Sequence, residues 1–190
     1  KKEQKMNGDN LNKNIEKCTE FNEILSDILS NETVKQMHNY IQHGEISCYT
    51  HCYYVAYYTY LICKKLKLDY KSAVRGAMLH DLFLYDWHTT SPADINEKGV
   101  HALAHPRIAL KNASKIFTLN DTEKDIIRNH MWPVTLKFPK TKEAFIVSCM
   151  DKYSATAETF MNCRNRITNS RIYRYAYVFL GLFILSLIHI

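Results

Sequence analysis

Apolar residues recur along this chain mostly at three- and four-residue intervals, the spacing that lines one face of a helix. Leu11, Ile15, Cys18, Leu25 and Ile28 share such a face and predict a first amphipathic helix. Asn31 is placed to cap a second, with Val34, Met37 and Ile41 turned inward and Gly44 ending it. A third helix is expected from Ser47 to Leu66. Its tyrosines (Tyr49, Tyr53, Tyr54, Tyr57, Tyr58, Tyr60) suit helix packing with hydroxyls at the rim. Asp69 can cap a fourth over Tyr70 to Leu84, where Ala73, Gly76 and Ala77 permit a close neighbour. Residues 86–98 are polar, aperiodic and contain Pro92, so a loop is expected there. Pro106 suits a first helical position, which puts His105 at an N-cap of a helix running to Phe117. A residue before proline avoids helical angles, so His101 and His105 are not expected to clamp a metal from one continuous helix. Asn120 or Asp121 starts another helix that ends near His130, ahead of Pro133, and a last one covers Lys142 to Arg164.

Only five glycines and four prolines occur in 190 residues, so few turns are signalled and the fold class is all-α: one helical bundle over residues 11–165. Residues 1–10 carry no pattern and are expected to be disordered. Within a C-terminal segment over residues 171–190 the chain turns apolar from Tyr175 onward, behind Arg164, Arg166, Arg171 and Arg174. A membrane helix with a cytoplasmic flank begins this way, yet the run is shorter than the ~20 residues a span requires. It reads as a truncated apolar helix, on a cytoplasmic protein that touches a membrane through its C-terminus. Residues 185–190 resemble the in-frame translation of a transposon end used in sequencing libraries, and are expected to be non-native.

The formal charge of +6 is spread along the chain without an Arg-rich helix, which argues against nucleic acid as a partner and suits a small anionic substrate. The six cysteines (Cys18, Cys48, Cys52, Cys63, Cys149, Cys163) sit mostly on apolar faces without a Cys-x-x-Cys pair, and are expected to be reduced. Cys48, His51 and Cys52 have zinc-like proximity but lack a fourth ligand.

Six polar residues stand where polar groups need a reason: His51, His80, Asp81, His105, His130 and Asp151. Each lies at an element end or inside an apolar run, and inward-facing side chains from several helices can converge at the centre of a bundle. Imidazole and carboxylate together suit one or two divalent ions among iron, manganese, cobalt, nickel, zinc and magnesium.

Over Ile41 to Glu158 the order of these residues resembles that of the HD-domain metal-dependent phosphohydrolases: a histidine, an adjacent His-Asp pair, two further histidines and a late aspartate. The resemblance is closest to the branch that hydrolyses symmetrical dinucleoside tetraphosphates. It implies that His51, His80, Asp81 and Asp151 hold a first metal. Asp81 then bridges to a second metal completed by His105 and His130, while His101 has no counterpart. Many relatives carry a lysine shortly after the His-Asp pair, where this chain has Leu84 and Tyr85, so phosphate charge must be met elsewhere. Arg107 and Lys152 are the candidates alongside Asp81 for the catalytic set, with Arg75 a further cation and Asp86, Trp87 and His88 at the pocket mouth. The expected activity is hydrolysis of a nucleotide or other small phosphate ester by a metal-activated water. Two other readings remain: a non-catalytic binding or regulatory module stabilised by metal, and a helical membrane-associated protein whose histidines are incidental.

Overall fold

The stripe expected to form one helix over residues 11–28 is divided. In the computed structural model, which describes residue 13 and residues 15–169 (backbone alone for 43 and 161–169), it yields α1 (Thr19–Ile24) and α2 (Ser26–Ser30). The Asn22 side chain donates to the carbonyls of Ile15 and Cys18, and Ile15 accepts the Cys18 N–H in a tightened turn that ends the helical run before Thr19. The break lets Ile15, Phe21, Leu25 and Ile28 all reach the core. The segments 1–10 and 171–190 lie outside the described residues.

Asn31 caps α3 (Glu32–Lys35) as expected, accepting from the backbone N–H groups of Thr33 and Val34. Beyond Lys35 the chain departs from the expected helix. A 3-10 turn (Gln36–Asn39) gives way to an antiparallel hairpin of β1 (Ile41–His43) and β2 (Ile46–Ser47). Gly44, at φ 64°, supplies the left-handed turn that a side chain would resist. Ile41 is therefore not inward but 49% exposed.

The helical core is close to expectation. α4 (Cys48–Lys65) starts at Ser47, whose hydroxyl accepts from Thr50 N–H. α5 (Tyr70–Leu79) is capped by Asp69, and the chain leaves the helix at His80, five residues before the expected end. Leu82 and Phe83 still enter the core, because the Asn112 side chain satisfies the Leu82 carbonyl. α6 (His101–Ile116) includes His105 and Pro106, which corrects the expected N-cap at His105. Proline falls near enough to the helix start to cost only one backbone bond, and the His105 ring donates to the His101 carbonyl in the same turn. α7 (Asp121–Asn129) begins with a reciprocal cap between Asn120 and Glu123. α8 (Lys142–Asn169) runs past the expected end at Arg164.

α4 packs against α5 and α8, and α7 packs against α5, α6 and α8. The aromatic face of α4 receives α1: Phe21 meets the edges of Tyr53, Tyr57 and Tyr60, and Glu20 accepts hydrogen bonds from Tyr60, Lys64 and Tyr70. Among the described residues the protein is thus mostly helical, with one short hairpin. Among the described residues no helix is long and apolar enough to cross a membrane.

Gly76 sets the distance between α5 and α7. A Cβ there would lie 2.8 Å from Ile126 Cδ1 and 3.0 Å from its Cβ, and Ile126 is fully buried. Gly76→Ala should therefore destabilise the fold by about 1–3 kcal/mol despite alanine's better helix propensity. Urea unfolding measures it, and equal or greater stability would show that the two helices are not held at this spacing.

Candidate metal centre

Four helices and the turn after α5 each bring part of one cluster. His51 comes from the first turn of α4, His80 and Asp81 from the end of α5, and His105 from α6. His130 comes from the end of α7 and Asp151 from α8. All six are buried. Three overlapping triads have ligand atoms mutually within 4.8 Å: His51–His80–Asp81, His80–His130–Asp151 and Asp81–His105–His130. The six residues singled out in the sequence stand together.

The ring orientations carry the chemistry. His80 Nδ1 is 2.6 Å from the Ala77 carbonyl, His105 Nδ1 2.9 Å from that of His101, and His130 Nδ1 2.9 Å from that of Ile127. A carbonyl only accepts, so each Nδ1 bears the proton. In the neutral ring, each Nε2 then presents a lone pair to the cluster. His105 Nε2 and His130 Nε2 face each other at 2.9 Å. Burial pushes both rings down, His130 to about 3, so neither takes a second proton near neutrality. Around them lie carboxylate oxygens. Asp81 Oδ1 is 3.3 Å from His105 Nε2 and 3.5 Å from His130 Nε2. On the other side, Asp81 Oδ2 is 3.3 Å from His80 Nε2, with Asp151 Oδ1 3.6 Å from the same nitrogen. His80 Nε2 and Asp81 Oδ1 are buried without a well-formed hydrogen bond. A buried nest of acceptors facing acceptors needs cations, and this donor set of imidazole and carboxylate fits divalent metal ions.

Two residues outside the six expected from the sequence complete the cluster. Glu158 sits seven residues beyond Asp151, two turns along the same face of α8, and its oxygens lie 3.0 and 3.1 Å from His51 Nδ1. His51 Nε2 points to Asp151 Oδ1 at 3.1 Å. A carboxylate behind a ligand histidine fixes its tautomer and orientation, and the i, i+7 spacing could have revealed it. The second is Gln42, on β1, whose Nε2 donates to Asp81 Oδ2 at 2.6 Å.

Other candidates fall elsewhere. Lys152 touches the cluster: its ammonium donates to the His130 carbonyl at 2.7 Å and lies 3.4 Å from Asp151 Oδ2. Arg107 is not brought in, being bonded to Glu97 and the Lys98 carbonyl on the outer face of α6. Arg75 clamps Asp27 through both terminal nitrogens and Glu123 through Nε, tying α2 to α7. Asp86 closes its own turn onto His88 and Thr89. Trp87 stacks on His101 at 5.0 Å, and His101 stacks on His105 at 4.7 Å. His101 and His105 do share one helix, yet His101 Nδ1 is bonded to the Tyr85 hydroxyl at 2.7 Å, so it belongs to the aromatic wall. Burial and nearby His105 hold it down at about 4. Cys48 and Cys52 stand within 4.8 Å of an Asp81 oxygen, not in a zinc set with His51. Burial pushes both thiols up, and Cys48 Sγ–H donates to the Asp81 carbonyl at 3.2 Å, so at neutral pH these are packing groups. The described cysteines are all free.

A family model described as HD domain matches residues 48–156, more than half of the chain and all six clustered residues. Searches of curated proteins and of solved structures returned no match.

Metal binding here must displace protons. Burial alone would lower His51, but bonds to Asp151 and Glu158 override it and raise it to about 10, and the Asp81 charge likewise holds His80 well above an ordinary histidine. A ligand imidazole must be neutral, so below those raised values each such proton has to leave as metal enters. Affinity should rise with pH, about tenfold per unit for each proton released. Calorimetric Mn(II) titrations in buffers of different ionisation heat should show net proton release at pH 7. A buffer-independent heat would mean that these histidines are already neutral.

Proposed function

The chain belongs to the HD domain family, and from that premise we propose that it is a metal-dependent phosphohydrolase acting on a nucleotide or another small phosphate ester. One observation supports this above the others: Asp81 turns one oxygen to the His80 side and the other to His105 and His130, the arrangement of a carboxylate shared between two cations. His51, His80, Asp81 and Asp151 would hold the first, and Asp81, His105 and His130 the second. When bound, such ions make water acidic enough to attack near neutral pH and offset charge on phosphoryl oxygens.

The protein's own groups supply the rest. The His80, His105 and His130 rings, each pinned by a helix carbonyl through Nδ1, need no reorganisation to present Nε2. Asp81 stays ionised: burial opposes this, but the charge and hydrogen bond of His80 drive its carboxyl far below the usual range. Lys152, partly exposed beside Asp151, would meet a phosphate oxygen, the task the missing lysine after the His-Asp pair leaves open. The Trp87–His101 stack beside His105 offers a flat apolar wall for a nucleobase. A nucleotide with several phosphates, such as a symmetrical dinucleoside tetraphosphate, is the substrate we favour within that class.

Mn(II)- or Co(II)-loaded protein should cleave members of a panel of phosphomonoesters, nucleotides and dinucleoside polyphosphates. Asp81→Ala should lose well over the ~10–100-fold typical of outer-sphere changes while keeping its helical circular dichroism. Metal retained without turnover across the panel would defeat the enzymatic reading in favour of a non-catalytic metal-stabilised module. In that case chelation should melt the protein, whereas an enzyme of this build should lose activity first.

A further inference from the structure

The hairpin inverts the usual sidedness of a strand. Along β1, apolar Ile41 faces out at 49% exposure while Gln42 is turned in at 8%. Adjacent strand residues point to opposite faces, so exchanging these two would give the ordinary pattern of apolar inside and polar outside. Burying the carboxamide instead costs stability unless both of its ends are used.

One end is used. Gln42 Nε2 donates to Asp81 Oδ2 at 2.6 Å, and this contact orients the amide with its nitrogen toward the carboxylate and Oε1 turned away from it. The other end, Oε1, is buried with no hydrogen-bond partner. Besides His80 Nε2 and Asp81 Oδ1 within the six, other buried acceptors without partners occur on Thr59, Asn129 and Thr135, but among the described residues outside the six only Gln42 carries one while hydrogen-bonded to a member of the six. The hairpin is rigidly attached to the same corner. Cys48 N–H donates to the Tyr40 carbonyl across its base, and Cys48 Sγ–H to the Asp81 carbonyl.

We propose that Gln42 is a positioning residue for the attacking water. Its Nε2 holds Asp81 Oδ2 so that Oδ1 stays turned to His105 and His130. Its Oε1 accepts a hydrogen bond from the water that attacks phosphorus, aligning a lone pair of that water with the substrate. This rests on the phosphohydrolase reading above. A carboxamide suits the task because it cannot take the water's proton or compete as a charged ligand for the cation. The unpartnered oxygen then has a donor during turnover, and the inward turn of a polar residue has a use.

Gln42→Met keeps length and volume and removes both hydrogen bonds. On the full chain, the metal-free melting temperature should fall modestly, because the buried Asp81 carboxylate loses a donor and removal of the unpartnered oxygen offsets only part of that. Mn(II) binding by calorimetry should weaken about 10–100-fold, as when the partner of a ligand is removed. At saturating Mn(II), kcat on a phosphoester cleaved by the wild type should fall by about a hundredfold with KM little changed, the mark of a misplaced nucleophile. Unchanged Mn(II) affinity and unchanged kcat would overturn the proposal, and weakened affinity with unchanged kcat would overturn its water-binding half. Should the methionine variant not fold, Gln42→Asn, whose shorter amide reaches neither partner, must show the same losses, and wild-type behaviour in it overturns the proposal. A wild-type protein that binds no Mn(II) would sink the metal reading itself and this inference with it. Metal binding without hydrolysis leaves the affinity comparison to decide the role of Gln42 at Asp81 and defeats the role in attack.

Discussion

Four imidazoles and two carboxylates meet in a buried volume, and at least three of the rings donate their Nδ1–H to a backbone carbonyl. What remains pointed at the centre is almost entirely lone pairs. Mutual repulsion of that kind is intolerable in a low-dielectric interior unless positive charge enters, as protons on His51 and His80 or as metal. The contest between those two kinds of positive charge determines much of the protein's behaviour. It makes the centre sensitive to pH, and it makes the bundle a device for holding acceptors closer together than they would choose.

The surrounding architecture is arranged to resist that repulsion. Gly76 lets α5 lie directly on Ile126 of α7, which draws His80 and His130 to a ring-centre distance of 4.8 Å. Ser148 and Lys152 of α8 both donate to the His130 carbonyl, securing the end of α7 beside Asp151. Asp125 accepts from the backbone N–H groups of Lys140 and Thr141, which fixes where α8 begins. Arg75 ties α2 and α7 to the outer side of α5. These are ordinary structural bonds, yet each one braces an element that carries a ligand. Membership of the HD domain family accords with this use of a helical scaffold to collect histidines and aspartates from distant points of the chain.

Much of the scaffold was legible because it rests on local signals. Asn31, Asp69 and Asn120 cap helices where caps were expected, and the small residues of α5 mark its close neighbour. The six ligand candidates were legible for a different reason: a charged or imidazole side chain in an apolar run is costly, and six of them in this order share one explanation. The misreadings came where tertiary structure overrides local preference. Residues 82–84 looked like continued helix because they are apolar, but Leu82 and Phe83 enter the core as irregular chain once Asn112 takes a carbonyl. Pro106 looked like a helix start, whereas the helix begins a turn earlier and accepts the loss of one bond. Gln42 was hidden because its segment has a helical spacing of apolar residues, and only the turn at Gly44 reveals that Ile41 faces water. Glu158 did leave a signal, its two-turn spacing from Asp151 on one helix face.

The exposed stretch between Tyr85 and His101 divides the six side chains evenly, with His51, His80 and Asp81 before it and His105, His130 and Asp151 after it. Neither portion alone retains more than three donors, and the His51–Glu158 contact joins positions 107 residues apart. A bound cation would therefore act as a clasp between two halves of the polypeptide. A protease that nicked this stretch would leave the pieces associated while the clasp was filled and free to separate once it was stripped.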